Sequence, residues 1–318
     1  MKKLLVLLMA LAVLAPAFAD DAKVLPKGVL RLTFVFANNS FDQSYDADGE
    51  AQDSSYGKVT ALALGTALEY GVTDQIAAAV QWTPAAVVSS SIENDPLAAF
   101  FTGEAIVNGL ADLFIGAKVQ ILGAKGFIPT ELFRLAFATG VLVPLDNPDW
   151  DAEVANAVAN DDYKVSSPSN QAIGLGFRAY FDWVINKMFY LNLYNQTIFY
   201  LPVTKSGFDF PAALPEQEYK YGYKLTFEVE PHFDYSFSDK VSVSAGVPVN
   251  LTMTPETEID GVKQDNAGHI LTVSPSASVF VMAFIPFELK AGYTLPILGK
   301  NKDAASTLVF QLKTFLKF

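Results

Sequence analysis

The sequence predicts an all-β fold: a transmembrane, antiparallel, up-and-down β-barrel of about 12 strands. Three observations predict it. The first is the stretch 219–237, YKYGYKLTFEVEPHFDYSF. Its odd positions from Tyr221 to Phe237 are all aromatic, aliphatic or proline, and its even positions from Lys220 to Ser236 are all polar, charged or glycine. Side chains of a strand point alternately to two faces, so this period of 2 gives one apolar and one wet face. Soluble strands usually run to only about five or six residues, whereas a tilted membrane-spanning strand takes about 9–11. The second observation is that short and long connections alternate along the chain. The third is composition: 51% of residues are hydrophobic, 13% aromatic and only 18% charged. Such a balance without a helical span suits a barrel with a hydrophobic outer surface.

Residues 1–19 read as a secretory signal peptide. Lys2 and Lys3 are basic, 4–14 is an apolar core, and Ala17-Phe18-Ala19 is a small-x-small cleavage site. The apolar run is short for a membrane anchor of about 20 residues. The mature chain is expected to begin near Asp20, with 20–318 as one barrel domain. The absence of cysteine excludes disulfides, thiolate metal sites and a lipid anchor at the new N-terminus. A formal net charge of −12 argues against nucleic acid as a partner.

The strands follow in order. Residues 28–37 place Leu30, Leu32, Phe34 and Phe36 on one face, and 59–71 place Leu62, Leu64, Leu68 and Tyr70 likewise. After a tight turn at Thr73-Asp74, residues 75–88 carry Ile76, Ala78, Val80 and Trp82 outward. Residues 109–122, 132–143, 171–185 and 188–203 continue the alternation. Then come the stretch ending at Phe237, followed by 241–253, 269–284, 287–295 and 305–318. Short turns fall near Thr73, Gly123, Asn186, Asp239 and Pro286, and longer loops at 38–58, 89–108, 144–170, 204–218 and 254–268. An even strand number with short periplasmic turns and long extracellular loops is the pattern of bacterial outer-membrane barrels. Both termini are then expected on the periplasmic side.

The last strand, TLVFQLKTFLKF, ends on Phe318. A C-terminal aromatic closing an amphipathic strand resembles the signal read by the barrel-assembly machinery. The segments EYGVTDQIAAAVQW, FDWVINKMFYLNLYNQ, YSFSDKVSVSAGVPV and RLAFATGVLVPLDN together resemble outer-membrane transporters of the phenol-degradation meta-pathway type, which are FadL-like in character. The resemblance implies passage of small, often hydrophobic or aromatic, molecules across the outer membrane. Roughly eight residues are expected between the cleavage site and the first strand, so no counterpart of the long N-terminal hatch of FadL proteins is expected.

The period places a set of charges inward: Arg31, Glu69, Asp112, Lys118, Arg134, Arg178, Asp182, Lys224, Glu228, Glu230, His232, Asp234, Glu288 and Lys290. Charges inside a barrel must be paired or hydrated. The plain reading is a salt-bridged filling that stiffens the wall; the functional reading is a polar path. Gly65, Gly116, Ala136, Ala138, Gly140, Gly174 and Gly176 lie on neighbouring inward faces and favour an open lumen. Tyr180, Tyr194 and Phe114 are inward aromatics that cargo would touch. The loop 144–170, with Trp150 and the apolar patch 154–159, is a candidate constriction at the mouth.

Catalysis is the weaker class. Only His232 and His269 are present, and neither comes with a nucleophile motif. No phosphate loop or HExxH occurs, and the Asp-rich stretch 42–53 lacks the spacing of a calcium loop. The expectation is no enzyme activity, no cofactor and no metal. The partners are outer-membrane lipid, the assembly machinery and small-molecule cargo. A surface-exposed structural or adhesive barrel is the alternative.

Overall fold

The computed structural model describes residues 22–54, 57–91, 112–145, 169–209 and 212–318. Twelve strand positions make the wall. They are β1 (Val29–Phe41), β2 (Lys58–Gly71), β3 (Ile76–Ser91), β4 (Leu113–Leu122), β5 (Phe133–Val143) and β6 (Gly174–Val184). They continue as β7 (Phe189–Tyr200), β8 (Tyr223–Ser238), β9 (Val241–Gly246 with Val249–Thr254), β10 (Gly268–Val273 with Ser276–Val281), β11 (Phe287–Lys300) and β12 (Ser306–Lys317). Each pairs antiparallel with its sequence neighbours. The sheet closes where β1 meets β12, from Val29↔Lys317 to Ser40↔Ser306. Closure leaves no wall edge, which is the condition for a sheet surrounded by lipid.

β9 and β10 are each broken in two. Pro248 and Pro275 stand at the breaks, and a proline has no N–H for the ladder. The wall still holds, because Ser274 N–H donates to the Pro248 carbonyl across the gap at 2.8 Å.

Period 2 sorts the side chains as the sequence predicts. Phe34, Leu64, Phe137, Phe177, Phe227 and Leu289 are exposed on the outer surface, while Val35, Ala63, Ala136, Thr226 and Glu228 are buried. The long amphipathic strands therefore carry an apolar outer belt. The short turns after β2, β6 and β8 gather at one end of the barrel with residues 22–28 and Phe318. Gly28 N–H donates to the Gly71 carbonyl, and Phe318 N–H to the Gly28 carbonyl, both at 2.9 Å.

Three expected loops are partly β. Val203–Asp209 and Ala212–Lys220 form a hairpin that joins Glu258–Ile259 and Val262–Lys263 in a four-stranded sheet. Gln43–Tyr45, Ala51–Asp53 and Lys302–Asp303 form a three-stranded one. These extensions sit at the long-loop end, where the backbone groups still need partners. The stretch 219–237, expected as one strand, also splits. Gly222 adopts φ +68°, and the chain turns there, so Tyr219 and Lys220 belong to the outer hairpin.

Candidate functional site

The lumen is where the inward charges meet, and its two halves differ. The half lined by β1–β7 is filled. Phe114 on β4 lies across three glycines: a Cβ on Gly140 would stand 2.5 Å from its ring, one on Gly176 2.7 Å and one on Gly116 2.9 Å. The Arg178 guanidinium lies over the ring at 4.2 Å, and its Nη1 and Nη2 both donate to Gln81 Oε1 at 3.1 Å. The small-residue stripe expected to open the lumen is thus the seat of an aromatic ring. A glycine facing an aromatic residue leaves bare backbone that the ring covers.

The other inward aromatics are equally occupied. Tyr180 and Tyr194 pack with ring centroids 5.0 Å apart, above Ala136 and Ala138. The Lys118 ammonium sits 4.1 Å over the Tyr180 ring. All three expected cargo-contacting rings, Phe114, Tyr180 and Tyr194, are buried. They fill space, because cations and neighbouring rings already take their faces.

Asp182 anchors the filling at the short-turn end. Its fully buried carboxylate pairs with Arg134 at 3.1 Å and accepts from Asn192 Nδ2 at 2.6 Å. It also accepts from the Ala22 N–H, 3.2 Å to Oδ2. Val24 N–H donates to Gln120 Oε1 at 3.4 Å, and Lys23 lies 5.8 Å over the Tyr190 ring. A long hatch was not expected, yet the few residues before β1 still enter the lumen. Ala22, Val24 and Leu25 are apolar and buried there. That apolar run was the available signal; Gln120, which accepts from Val24, and Asn192, which donates to Asp182, are neutral and so stood outside the expected set of inward charges. Arg31 and Glu69, register partners on β1 and β2, pair at 2.5 Å.

The half lined by β8–β12 carries small polar side chains. Ser244 and Ser278 hydrogen-bond at 2.7 Å, and Thr226 and Thr252 at 3.3 Å. Glu228 accepts from Asn250 Nδ2 at 3.1 Å. His232 stands between two carboxylates: Nδ1 is 2.9 Å from Glu230 Oε1 and Nε2 is 3.0 Å from Asp234 Oδ1. Ionised carboxylates only accept, so the ring is placed to donate from both nitrogens. Its face stacks on Tyr190 at 4.4 Å. Glu288 pairs with Lys313 at 3.4 Å. Glu230, His232, Asp234, Ser244, Glu288 and Lys313 border, with Lys23, Lys290, Tyr190 and Asn192, a cavity of about 140 Å³ at the short-turn end, whose lining is mainly polar.

Two expected lumen charges, Asp112 and Lys224, stand apart and act on each other. Asp112 lies just before β4 at the long-loop end and hydrogen-bonds Ser169, with the charges of Lys205 and Lys224 acting on it. Lys205 itself donates to the Asn170 carbonyl at 3.1 Å and lies 5.0 Å over the Tyr219 ring. Trp150, the patch 154–159 and the signal segment 1–19 lie outside the described residues. Among the described residues, no group of three or more acidic, histidine or cysteine side chains is placed to hold a metal ion.

The fold superposes on an outer membrane channel from Pseudomonas putida F1 with a TM-score of 0.69, covering 93% of this chain and 98% of that one at 16% identity. The shared fold is a closed antiparallel β-barrel. The beta domain of the Bordetella autotransporter BrkA matches with a TM-score of 0.51 at 7% identity, covering 92% of this barrel and 100% of its own chain. A Pseudomonas aeruginosa FadL homologue aligns over 91% of the barrel and 90% of itself at 12% identity, but with a TM-score of only 0.39. At such identities the likeness establishes the fold. No family profile matches the sequence, and no curated protein matches it.

Proposed function

We propose that the protein is an outer-membrane channel that passes small molecules by passive diffusion, hydrophobic and aromatic ones among them. The observation that carries this is the division of the lumen. One half is filled by Phe114, Tyr180, Tyr194 and their cations; the other keeps a cavity of about 140 Å³ bordered mainly by charged side chains, with Ser244 and Asn192 among them. A cavity of about 150 Å³ holds one benzene-sized molecule, so cargo is limited to about one ring. The likeness to an outer membrane channel of Pseudomonas putida F1 supports the same reading.

The short-turn end is periplasmic in this proposal, with residues 1–19 removed on export. The C-terminal strand ending at Phe318, exposed at 80%, is the segment offered to the assembly machinery. Asp48 and Asp239 lie at opposite ends of the barrel, so an epitope tag at Asp48 is reached on intact cells and one at Asp239 is not. A reachable tag at Asp239 reverses the orientation.

A barrel stiffened for a structural or adhesive role is the second reading. The cross-braced β1–β7 half favours it, since Arg178, Lys118 and Arg134 all serve packing there. Single-channel recording of the purified protein in planar bilayers separates the two: discrete current steps support the channel, and a silent, fully folded barrel supports the structural role.

A further inference from the structure

The fixed charges around the cavity at the short-turn end nearly cancel. Glu230, Asp234 and Glu288 border it, and Glu228, on which the Lys290 charge acts, makes four carboxylates. Three ammonium groups face them, those of Lys23, Lys290 and Lys313. The pairs Arg134–Asp182 and Arg31–Glu69 are each neutral. Lys118 and Arg178 lie over Tyr180 and Phe114 in the filled half. The net charge along the cavity therefore hangs on one more group, the His232 ring.

His232 is held on every side. Its register partners are Tyr190 on β7 and Gly246 on β9. The Tyr190 ring stacks on it, and Lys23 and the Arg134 guanidinium lie over that tyrosine at 5.8 and 4.7 Å. Glu230 lies against Gly246, where any Cβ would collide with its carboxylate. The ring nitrogens meet Glu230 at 2.9 Å and Asp234 at 3.0 Å. The remaining charged groups are Glu288 and Lys290 on β11 and Lys313 on β12. A charged imidazole donates from both nitrogens, a neutral one from a single nitrogen. Loss of the proton thus leaves four negative charges against three positive ones, and it also releases one carboxylate from the ring.

From this balance we infer that His232 determines which charge of solute the path prefers. With the ring protonated the path is balanced and passes small cations and anions alike. With the ring neutral the path carries one excess negative charge and prefers cations. The inference rests on the channel reading, since only a conducting path has a preference.

Reversal potentials in planar bilayers under a KCl gradient test it, taken from pH 6 to pH 9.5 at low salt, where screening is weak. Wild type is expected to pass K⁺ and Cl⁻ about equally at the acid end. At the alkaline end it should favour K⁺ by about fivefold, the scale of one unit charge acting on both ions from several Å through water. His232→Gln should favour K⁺ already at pH 6, and His232→Arg should stay unselective to pH 9.5. Glu228→Gln should keep a pH step of wild-type size from a lower starting ratio. Heat-modifiable migration in gels confirms the fold of each variant. A wild-type ratio that does not change with pH overturns the inference. So does a wild-type step in folded His232→Gln or His232→Arg, and so does loss of the step in Glu228→Gln, which would assign it to that carboxylate. A folded barrel that passes no current overturns the channel reading and this inference together, whereas steady current with a flat ratio overturns the inference alone.

Discussion

The Arg178 guanidinium covers the Phe114 ring at 4.2 Å, and the outer edge of the ring sits against three glycines from three adjacent strands. One aromatic residue thus ties β4, β5 and β6 together and closes half of the lumen. A buried cation over a ring contributes about 2 kcal/mol. Phe114→Ala removes the ring and leaves Arg178 without its platform. The expected outcome is a larger single-channel conductance with the barrel still heat-modifiable and a lower unfolding temperature. An unchanged conductance would place the limiting constriction elsewhere.

Asp182 supports a second prediction. It is fully buried and serves Arg134, Asn192 and the Ala22 N–H together. Breaking a buried pair by removing one partner costs about 3–5 kcal/mol. Asp182→Ala should destabilise the barrel and free the N-terminal segment. Limited proteolysis before β1 reads the release, and equal cleavage in wild type and variant would mean that Asp182 does not hold the segment.

The outer face gives a third. Phe227 is 44% exposed on the outer belt, whereas neighbouring Thr226 is 7% exposed on the inner face. A lysine facing lipid near mid-bilayer costs about 2–4 kcal/mol, while a lumen position tolerates charge. Phe227→Lys should impair assembly more than Thr226→Lys, measured as the folded fraction in outer membranes. Equal losses would misplace the belt.

These positions also show what could be read in advance. Phe227 and Thr226 were legible because alternation sorts faces before any contact is known. Strand order was legible because short turns force neighbours to pair. Phe114 was recognised as inward, but its seat was not, since Gly116, Gly140 and Gly176 come from three strands whose register is a tertiary fact. The glycines looked like room because a sequence shows the missing side chain and hides what fills the gap. The entry of Ala22 and Lys23 into the lumen was missed for a similar reason: their partners Asp182 and Tyr190 are more than a hundred residues away. The outer hairpin was hidden by Gly222, which breaks an otherwise unbroken alternation.

Asp303, in the small sheet at the long-loop end, sets a pH dependence. Burial pushes its carboxyl up to about 6 from 3.8, against the opposing effects of the Ser44 hydroxyl and Lys302. A raised carboxyl binds its proton more tightly in the folded sheet than in the unfolded chain. Its stabilising contribution is therefore complete below about pH 4 and lost as pH rises through about 6. Amides of Gln43–Tyr45 should show higher hydrogen-exchange protection at pH 4.5 than at pH 7.5, after correction for intrinsic rates. Asp303→Asn should flatten the difference. Protection that rises across that window in wild type would contradict the assignment.

The central claim is that a solute path survives beside the filled half of the lumen. Proteoliposome swelling measures it, with polar solutes chosen because hydrophobic ones cross lipid unaided. The account predicts swelling with glycerol and with a pentose, both near the size of one ring, and none with the trisaccharide raffinose. No swelling above protein-free liposomes, with the reconstituted barrel still heat-modifiable, would contradict it and leave a closed structural barrel.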